Sequence, residues 1–401
     1  MKQRHILCLI PQVMYVTAVD TVELRKAGRI TQKEAKNRMR CETAKKENLI
    51  KQKKIGRLEK TNYFICLTPL HFYFSYSIAW KLYEENRSHS VILVKGNFNY
   101  KNQKPEAFLE LVNIKNDSFM EKVICKIKYT YLFRSTSLHR SMRKDMGELY
   151  VFNFNDPLTK NMLRYAPDIA KVTYVEEGLG SWNHSWDGGT APKRVDCALM
   201  GEPEMFRNTH PDYSGEIMKL DYQEFFNRER SAGFCSLTAG NTQIGQMDYL
   251  YLGLCENETV ETKYEMEILK KIIQFIPKDK TFYIKKHPRD MGRKYYDLAE
   301  QNSNVKIMDR VLNQVPVECL IWTNNISTIL SIMSSAGVYI PYLKKGIKSV
   351  FLYKMDAMKK TGLYSSGTFQ EGEMESFNRF LEKKDDIYCP ENDEQLRRVL
   401  F

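Results

Sequence analysis

The sequence predicts an α/β protein with two parallel sheets, each covered by helices. Three observations support this prediction. Short apolar runs alternate with helix-like segments after residue 60, and the alternation occurs twice, on either side of residues 235–247. The length of 401 residues also exceeds one ordinary core, since a domain usually has about 100–200 residues. We therefore predict a basic extension at 1–60 and two Rossmann-like domains at 61–246 and 247–401.

The first series of elements begins with an apolar strand at 63–68, which Pro69 ends. Further apolar runs rich in Val, Ile and Leu predict strands at 90–95, 148–154 and 171–175. The intervening segments predict helices at 70–85, 105–147 and 157–165.

The second series repeats this alternation. It predicts strands at 248–252, 281–285, 305–308, 328–333 and 349–353, with helices at 262–276, 291–301, 316–323 and 335–344. In sheets of this type, ligands bind beyond the carboxyl ends of the strands. We therefore look for chemistry where strands end, in a central cleft between the two domains.

Composition and charge exclude several classes of protein. Apolar residues make up 43% and charged residues 27%, as in a globular rather than a disordered chain. Residues 1–60 hold 16 Lys and Arg against 6 Asp and Glu, so they carry most of the net charge of +12. The rest is nearly neutral, which disfavours a protein wrapped around nucleic acid. The basic stretch, predicted to be helical, is either a solvated extension or a peripheral contact with an anionic membrane.

The nine cysteines are scattered singly, without a C-x-x-C pair. This pattern predicts reduced thiols and a cytoplasmic location, rather than a disulfide framework or a zinc site.

Two adjacent carboxylates, Glu176 and Glu177, follow the predicted strand at 171–175, and Gly178 then lets the backbone turn sharply. Neighbouring carboxylates in a shared site cannot both ionise freely, so one can act as a general base. The alternative is a pair of solvated glutamates at the start of a loop.

A cluster of cations with one histidine follows the strand at 281–285. Lys285, Lys286 and Arg289 flank His287, and Pro288 restricts the turn. Clustered cations favour an anionic ligand such as a phosphate, and a histidine there can protonate a leaving group. A structural or merely exposed histidine is the alternative.

Two hydroxyls, Ser334 and Ser335, lie where a predicted strand runs into a helix. A helix N-terminus with hydroxyls is an anion site, although plain N-capping gives the same pattern. Glu318 lies in a helix start after Pro316, where it either suits the helix dipole or accepts hydrogen bonds from ribose hydroxyls. The sequence has no P-loop, no G-x-G-x-x-G, no D-x-D and no H-E-x-x-H, which favours a metal-free transfer by Glu, His and hydroxyls.

Taken in order, these motifs resemble those of the bacterial sialyltransferases. That family has a D/E-D/E-G motif, an H-P motif and a downstream Ser-Ser/Thr motif. In this chain they read Glu176-Glu177-Gly178, His287-Pro288 and Ser334-Ser335. The opening Cys66-Leu67-Thr68-Pro69-Leu70-His71 and the P-x-E at Pro316 and Glu318 look most like glycosyltransferase family 52, the lipooligosaccharide sialyltransferases. The capsular polysialyltransferases of family 38 are close relatives, and the opening motif often has Gln where this chain has His71.

The resemblance implies a fold of the GT-B type and a metal-independent, inverting transfer of sialic acid from CMP-sialic acid. The acceptor would be a hydroxyl of a surface glycan or glycolipid, in lipooligosaccharide or capsule. Glu177 would be the base, with Glu176 as the second choice, and His287 would assist departure of CMP. CMP-binding roles would fall to Ser334, Ser335, Pro288, Glu318 and Lys286, and further substrate contacts to Thr68, Pro69 and Gly178.

Two other classes of function remain open at this stage. One is a different nucleotide-activated transferase, moving a glucosyl or glycerophosphoryl group. The other is a non-catalytic protein that binds lipid or nucleic acid through residues 1–60. The aromatic and basic segments 120–144 and 182–186 either line an acceptor groove or pack inside the fold.

Overall fold

The computed structural model describes residues 61–95, 108–113, 146–165, 170–183, 194–239, 243–254, 259–288, 290, 292–359 and 373–401. The predictions for the extension 1–60, for Arg289 and for the segment 120–144 fall outside these residues.

The strands of the described residues form two sheets. Those of the first sheet are β1 Thr61–Cys66, β2 Ser90–Val94, β3 Leu109–Asn113, β4 Met146–Val151, β5 Lys171–Val175, β6 Cys197–Met200 and β7 Glu216–Lys219. Those of the second are β8 Gln246–Leu252, β9 Phe282–Lys285, β10 Val305–Ile307, β11 Asn325–Ser331, β12 Lys348–Phe351 and β13 Ile387–Tyr388.

The helices lie between these strands. In the first half they are α1 Pro69–Asn86, α2 Pro157–Tyr165, α3 Gly180–Asn183, α4 Pro203–Thr209, α5 Tyr222–Phe225 and α6 Arg228–Thr238. In the second half they are α7 Thr259–Phe275, α8 Tyr296–Gln301, α9 Arg310–Asn313, α10 Val317–Thr323, α11 Ser335–Leu343, α12 Asp356–Lys359, α13 Glu373–Leu381 and α14 Asp393–Leu400. No helix in the described ranges is both long enough and apolar enough to cross a membrane.

Both sheets are parallel throughout, with orders β3-β2-β1-β4-β5-β6-β7 and β10-β9-β8-β11-β12-β13. Strand β2 is buried along its whole length, as is usual for a strand inside a parallel sheet. We call the elements from β1 to α6 the N-terminal lobe and those from β8 to α14 the C-terminal lobe. The predicted α/β fold with two Rossmann-like units is therefore confirmed.

The lobes are held together by hydrogen bonds between their helices and loops. The Trp322 indole N–H donates to the carbonyl oxygen of Phe226 at 2.9 Å, and the Gln223 amide donates to that of Tyr342 at 2.8 Å. The Tyr342 hydroxyl donates to the Glu202 carboxylate. These contacts fix α10 and α11 of the C-terminal lobe against helices and loops of the N-terminal lobe.

Nine predicted strands correspond to β1, β2, β4, β5 and β8–β12. The predicted helix at 105–147 is wrong where the structure describes it, because Leu109–Asn113 forms edge strand β3 beside β2. The helix predicted at 291–301 begins only at Tyr296, because the described residues 292–295 before it lie outside any helix. All five cysteines in the described part of the chain are free, and four of them are buried.

Candidate active site

The predicted site residues lie at the carboxyl edges of the two sheets. Glu176 and Glu177 follow β5, His287 follows β9, and Ser334 lies between β11 and α11. In the C-terminal sheet β9 and β11 are separated only by β8, which is about 10 Å at the usual strand spacing. One edge of this sheet therefore carries both the histidine and the serine pair.

The two lobes meet closely at Gly178. Its φ of +122° lies in a region that side chains avoid, and a Cβ there would lie 2.8 Å from the Ser335 hydroxyl oxygen. Glycine is thus required both by the backbone conformation and by the approach of α11. The contact brings the turn that carries Glu177 against the start of the helix with the serine pair.

Glu177 is the accessible member of the glutamate pair, with 27% of its side chain exposed. The Asn153 amide donates to its two carboxylate oxygens at 3.3 and 3.2 Å. The His71 Nε2 atom lies 3.4 Å from its Oε2 atom. Its backbone N–H donates to the Ser181 hydroxyl at 2.8 Å. The carboxylate is therefore oriented by neighbours from α1 and from the end of β4 while one side faces solvent.

His71 is buried in the first turn of α1, and its environment selects one tautomer. Its Nδ1 atom accepts the backbone N–H of Leu67 at 3.4 Å, so in the neutral ring the proton is on Nε2, the atom nearest Glu177. The ring stacks on Phe152 at a centroid distance of 4.5 Å. The imidazole thus presents a fixed donor to the carboxylate.

Thr68 and Pro69 begin the helix that carries His71. The Thr68 hydroxyl accepts the N–H of His71 at 3.2 Å as the N-cap, and Pro69 occupies the first turn, where its missing N–H does no harm. This is a local structural role. The substrate contacts that the resemblance implies for these two residues stay a prediction.

Glu176 is completely buried, unlike its neighbour. The Trp182 indole N–H donates to it at 2.6 Å, the backbone N–H of Gly201 at 2.8 Å and the Tyr222 hydroxyl at 2.6 Å. Burial raises the pKa of Glu176 to about 6, and these hydrogen bonds partly oppose that rise. Trp182, one of the two tryptophans predicted to line a groove or to pack, is therefore a packed residue.

His287 opens a tight turn after β9. The backbone N–H of Asp290 donates to the His287 carbonyl oxygen at 2.8 Å, which closes four residues with Pro288 in the second position. The histidine itself is half-buried. Lys286, predicted to bind phosphate, is buried, and its ammonium donates to the carbonyl oxygen of Gly292.

Ser334 and Ser335 stand at the start of α11, a nine-residue helix. Ser334 is the N-cap residue, with an extended backbone, but its side chain forms no capping hydrogen bond. Its hydroxyl is therefore not used to satisfy the N–H groups of its own helix. The start of α11 has the geometry of an anion site, namely a hydroxyl beside the positive end of a helix dipole.

Glu318 lies in the first turn of α10 and is buried. Burial raises its pKa to about 7, against the attraction of the Lys285 ammonium. Burial likewise lowers the pKa of Lys285 to about 8, while Glu318 acts in the opposite direction. The Lys285 ammonium also donates to the carbonyl oxygen of Asn313. The ribose contact expected of Glu318 stays a prediction.

Sequence reasoning did not select Asn153 or give His71 a role. Asn153 follows β4, so the rule that located Glu177, a polar residue just past a strand end, would also have found it. His71 was visible only as a departure from the opening motif. His71 lies close to Glu177 because β1 and β5 both pair with β4. The order of strands in the sheet cannot be read from the sequence of any one strand.

A family model described as "Alpha-2,8-polysialyltransferase (POLYST)" matches residues 40–354 of the chain. The chain belongs to this family. It is a glycosyltransferase of the sialyltransferase type, and the predicted resemblance to bacterial sialyltransferases is confirmed. That the chain resembles family 52 more than family 38 stays a prediction. No curated protein matches the sequence.

Solved structures with the same arrangement include the UDP-GlcNAc 2-epimerase of Methanocaldococcus jannaschii. It is 16% identical, with a TM-score of 0.50, over 85% of this chain and 99% of that one. The GT-B domain of a sialyltransferase from Photobacterium damselae is 11% identical, with a TM-score of 0.44, over 82% of this chain and 99% of that one. The likeness to the epimerase agrees with the predicted α/β fold of two Rossmann-like domains.

Proposed function

We propose that this protein transfers sialic acid from CMP-sialic acid to a hydroxyl of a surface glycan, with inversion and without a metal ion. The observation that carries the proposal is the contact of Gly178 with Ser335, because it brings a partly exposed carboxylate to the start of a helix suited to a phosphate. A base for the acceptor and a site for the leaving group then face one another across the cleft.

Glu177 is the general base in this proposal. Its oxygens take the proton from the acceptor hydroxyl as that oxygen attacks the anomeric carbon of the sialic acid. The N–H donors of His71 and Asn153 hold the carboxylate in one orientation and leave its exposed side for the acceptor. Orientation of this kind is a large part of general base catalysis, because proton transfer requires hydrogen-bond distance.

CMP leaves as the bond from the anomeric carbon to the phosphate oxygen breaks, and negative charge develops on the phosphate. His287 protonates or hydrogen-bonds this group, and the hydroxyls of Ser334 and Ser335 hold it at the positive end of α11. Because the donors are fixed before the reaction, they stabilise the developing charge without reorganisation. These residues supply the neutralisation that a metal ion provides in other transferases.

The remaining predicted residues support this arrangement. Pro288 fixes the His287 turn and Gly178 permits the approach of the lobes. In this proposal Glu318, which is buried without the ligand, accepts hydrogen bonds from the ribose hydroxyls. Glu176 is assigned a buried structural role, because three donors already occupy its oxygens and none of its surface is exposed. Lys286 supports the turn from inside.

The acceptor in this proposal is a glycan that already ends in sialic acid, and the new linkage is α2,8. The description of the family supports this choice over the lipooligosaccharide acceptor. We place the reaction at the cytoplasmic face of the membrane, with residues 1–60 as the segment that contacts anionic lipid.

The test is to incubate the purified chain with CMP-sialic acid, UDP-glucose or CDP-glycerol, together with a short α2,8-linked sialic acid acceptor or a lipooligosaccharide acceptor. We expect free CMP and a lengthened α2,8-linked product from the first donor only, at the same rate with and without EDTA. Turnover of another donor in its place, or a strict need for a divalent cation, would overturn the proposal.

A further inference from the structure

Four charged side chains are buried together behind the turn that carries His287. The side chains of Asp290 and Glu265 have no exposed surface, and those of Lys286 and Lys294 are 9% and 8% exposed. We call these four residues the ion quartet. Two ammonium groups and two carboxylates balance one another in charge, so the group is neutral as a whole.

The quartet forms a continuous chain of charge contacts. The Lys294 ammonium lies 2.9 Å from Glu265 Oε2 and 3.8 Å from Asp290 Oδ2. Asp290 Oδ1 in turn lies 3.9 Å from the Lys286 ammonium. Asp290 is therefore the link between the deep pair, Glu265 and Lys294, and the lysine that directly precedes His287.

The deep end of the quartet is anchored to the sheet. The hydroxyls of Tyr251 and Tyr295 donate to Glu265 Oε1 at 2.7 and 2.6 Å, and the backbone N–H of Leu254 donates to the same atom at 3.0 Å. The Lys294 ammonium donates to the Leu254 carbonyl oxygen at 3.0 Å. These contacts tie the quartet to the end of β8, the strand between β9 and β11.

The shallow end of the quartet holds the turn. Asp290 donates its backbone N–H to the His287 carbonyl oxygen, and its Oδ1 atom accepts the N–H of Gly292 at 2.8 Å. Lys286 donates its ammonium to the Gly292 carbonyl oxygen and its backbone N–H to the Asn313 side chain at 3.0 Å. Quartet members thus hold the chain on both sides of the histidine.

Burying four charges is a poor way to gain stability, because each loses its hydration. A buried network of paired charges instead favours one geometry over others. In this network the Asp290 Oδ2 atom forms no hydrogen bond, so its contact with Lys294 is electrostatic alone. Here the geometry favoured is the relative position of Lys286, His287, Asp290 and Gly292, which the contacts of the quartet tie together.

We propose that Asp290, through the ion quartet, is a positioning residue for His287 and holds its imidazole where the donor phosphate departs. This inference rests on the proposed function, in which His287 assists CMP release. Asp290 itself makes no contact with substrate. Its effect on the reaction passes entirely through the histidine.

The test is a double-mutant cycle on the full-length chain, with the release of CMP as the readout. His287→Ala should lower kcat by about 10²–10³-fold, as for loss of a group that stabilises developing charge. Asp290→Ala should lower kcat by about tenfold or more, because a small misplacement of a catalytic group has effects of this size. In the His287→Ala background, Asp290→Ala should change kcat by less than about twofold, because the group that it positions is gone.

The matched control is Asp248→Ala. Asp248 accepts the backbone N–H of Thr281 at 2.8 Å, the same distance as the bond from Gly292 to Asp290, but near the opposite edge of the same sheet. The Asp248→Ala change should lower the melting temperature and leave kcat unchanged. If Asp290→Ala does not fold, Asp290→Asn, which keeps the shape and the acceptor for Gly292, replaces it in the same cycle.

Equal losses from the Asp290 change in the two backgrounds would overturn the proposal, since they would show a general structural role. An unchanged kcat in the Asp290 variant would overturn it as well. If His287→Ala itself keeps full kcat, the proposed function fails along with the positioning role, and this outcome is distinct from the other two.

Discussion

Glu176 and Glu177 are adjacent and chemically identical, yet the structure gives them opposite environments. The first is enclosed by three hydrogen-bond donors and has no exposed surface. The second is 27% exposed and faces His71 and Asn153. The comparison shows that the acidic pair combines an enclosed carboxylate and an accessible one, and in the proposed function only the accessible one acts as the base.

The alternation of side chains along an extended chain produces this difference. The backbone N–H of Glu176 donates to the Leu199 carbonyl oxygen at 3.1 Å, which continues the pairing of β5 with β6. Its side chain therefore stays in the interior of the lobe, and that of the next residue points the other way. Gly178 then turns the chain beside Ser335.

The difference between the two glutamates is tested most directly by changing each of them to glutamine. Glu177→Gln should lower kcat by about 10³-fold, because the general base is lost while the size of the side chain is kept. Glu176→Gln should lower it by less than about tenfold, since the glutamine oxygen can accept from the Trp182 and Gly201 N–H groups while its amide donates to the Tyr222 hydroxyl oxygen. Rates of CMP release by the two purified variants check this difference, and a reversed order would assign the base to Glu176.

His71 provides a second test of the difference between the glutamates, because its ring lies beside Glu177. His71→Ala should lower kcat by about tenfold, because the carboxylate loses the polar ring atom that lies 3.4 Å from it. His71→Gln should recover part of the loss, since its amide can donate to the carboxylate. Steady-state kinetics measure both effects, and equal loss in the two variants would show that the imidazole acts in some other way.

Gly178 tests whether the approach of the two lobes matters. Gly178→Ala introduces a Cβ against the Ser335 hydroxyl and strains a positive φ, a change worth about 1–3 kcal/mol. We expect a raised KM for the donor and a lower melting temperature. Gly346→Ala is the matched control, because that glycine also has a positive φ of 81° but no atom within 4 Å of the added Cβ. An unchanged KM in the Gly178 variant would contradict the account.

The smallest effect is a pH dependence of stability due to Glu176. Its pKa rises from 4.5 in the unfolded chain to about 6 in the folded one, so the folded state binds the proton more tightly between these values. Stability from this group is full below pH 4.5 and falls as the pH rises through 6, by about 2 kcal/mol. Urea unfolding of wild type and Glu176→Gln should show a difference that shifts by this amount across that window. A difference that does not vary with pH would contradict the assignment.

Much of the fold could be predicted from the sequence, because the strongly apolar strands interrupt helical segments in a regular order. The strands β3, β6, β7 and β13 could not. They have two to five residues each, and β7 is largely exposed, so little apolar patterning distinguishes them from loops. The predicted helix over β3 failed for this reason.

The candidate site could be predicted in part. The rule that ligands bind at strand ends located Glu177, His287 and Ser334. The environments of the other site residues depend on side chains that are distant in the sequence. The burial of Glu176 depends on Trp182 and Tyr222, which lie on other elements, so sequence alone left the choice between the two glutamates open.

In the proposed mechanism, Glu177, His287 and the serine pair surround a single nucleotide phosphate. A crystal structure of the protein with CMP would examine this arrangement. We expect the phosphate within hydrogen-bond distance of the Ser334 and Ser335 hydroxyls and of the His287 ring, with Glu177 across the cleft. A phosphate bound away from the start of α11, with His287 out of reach, would contradict the account.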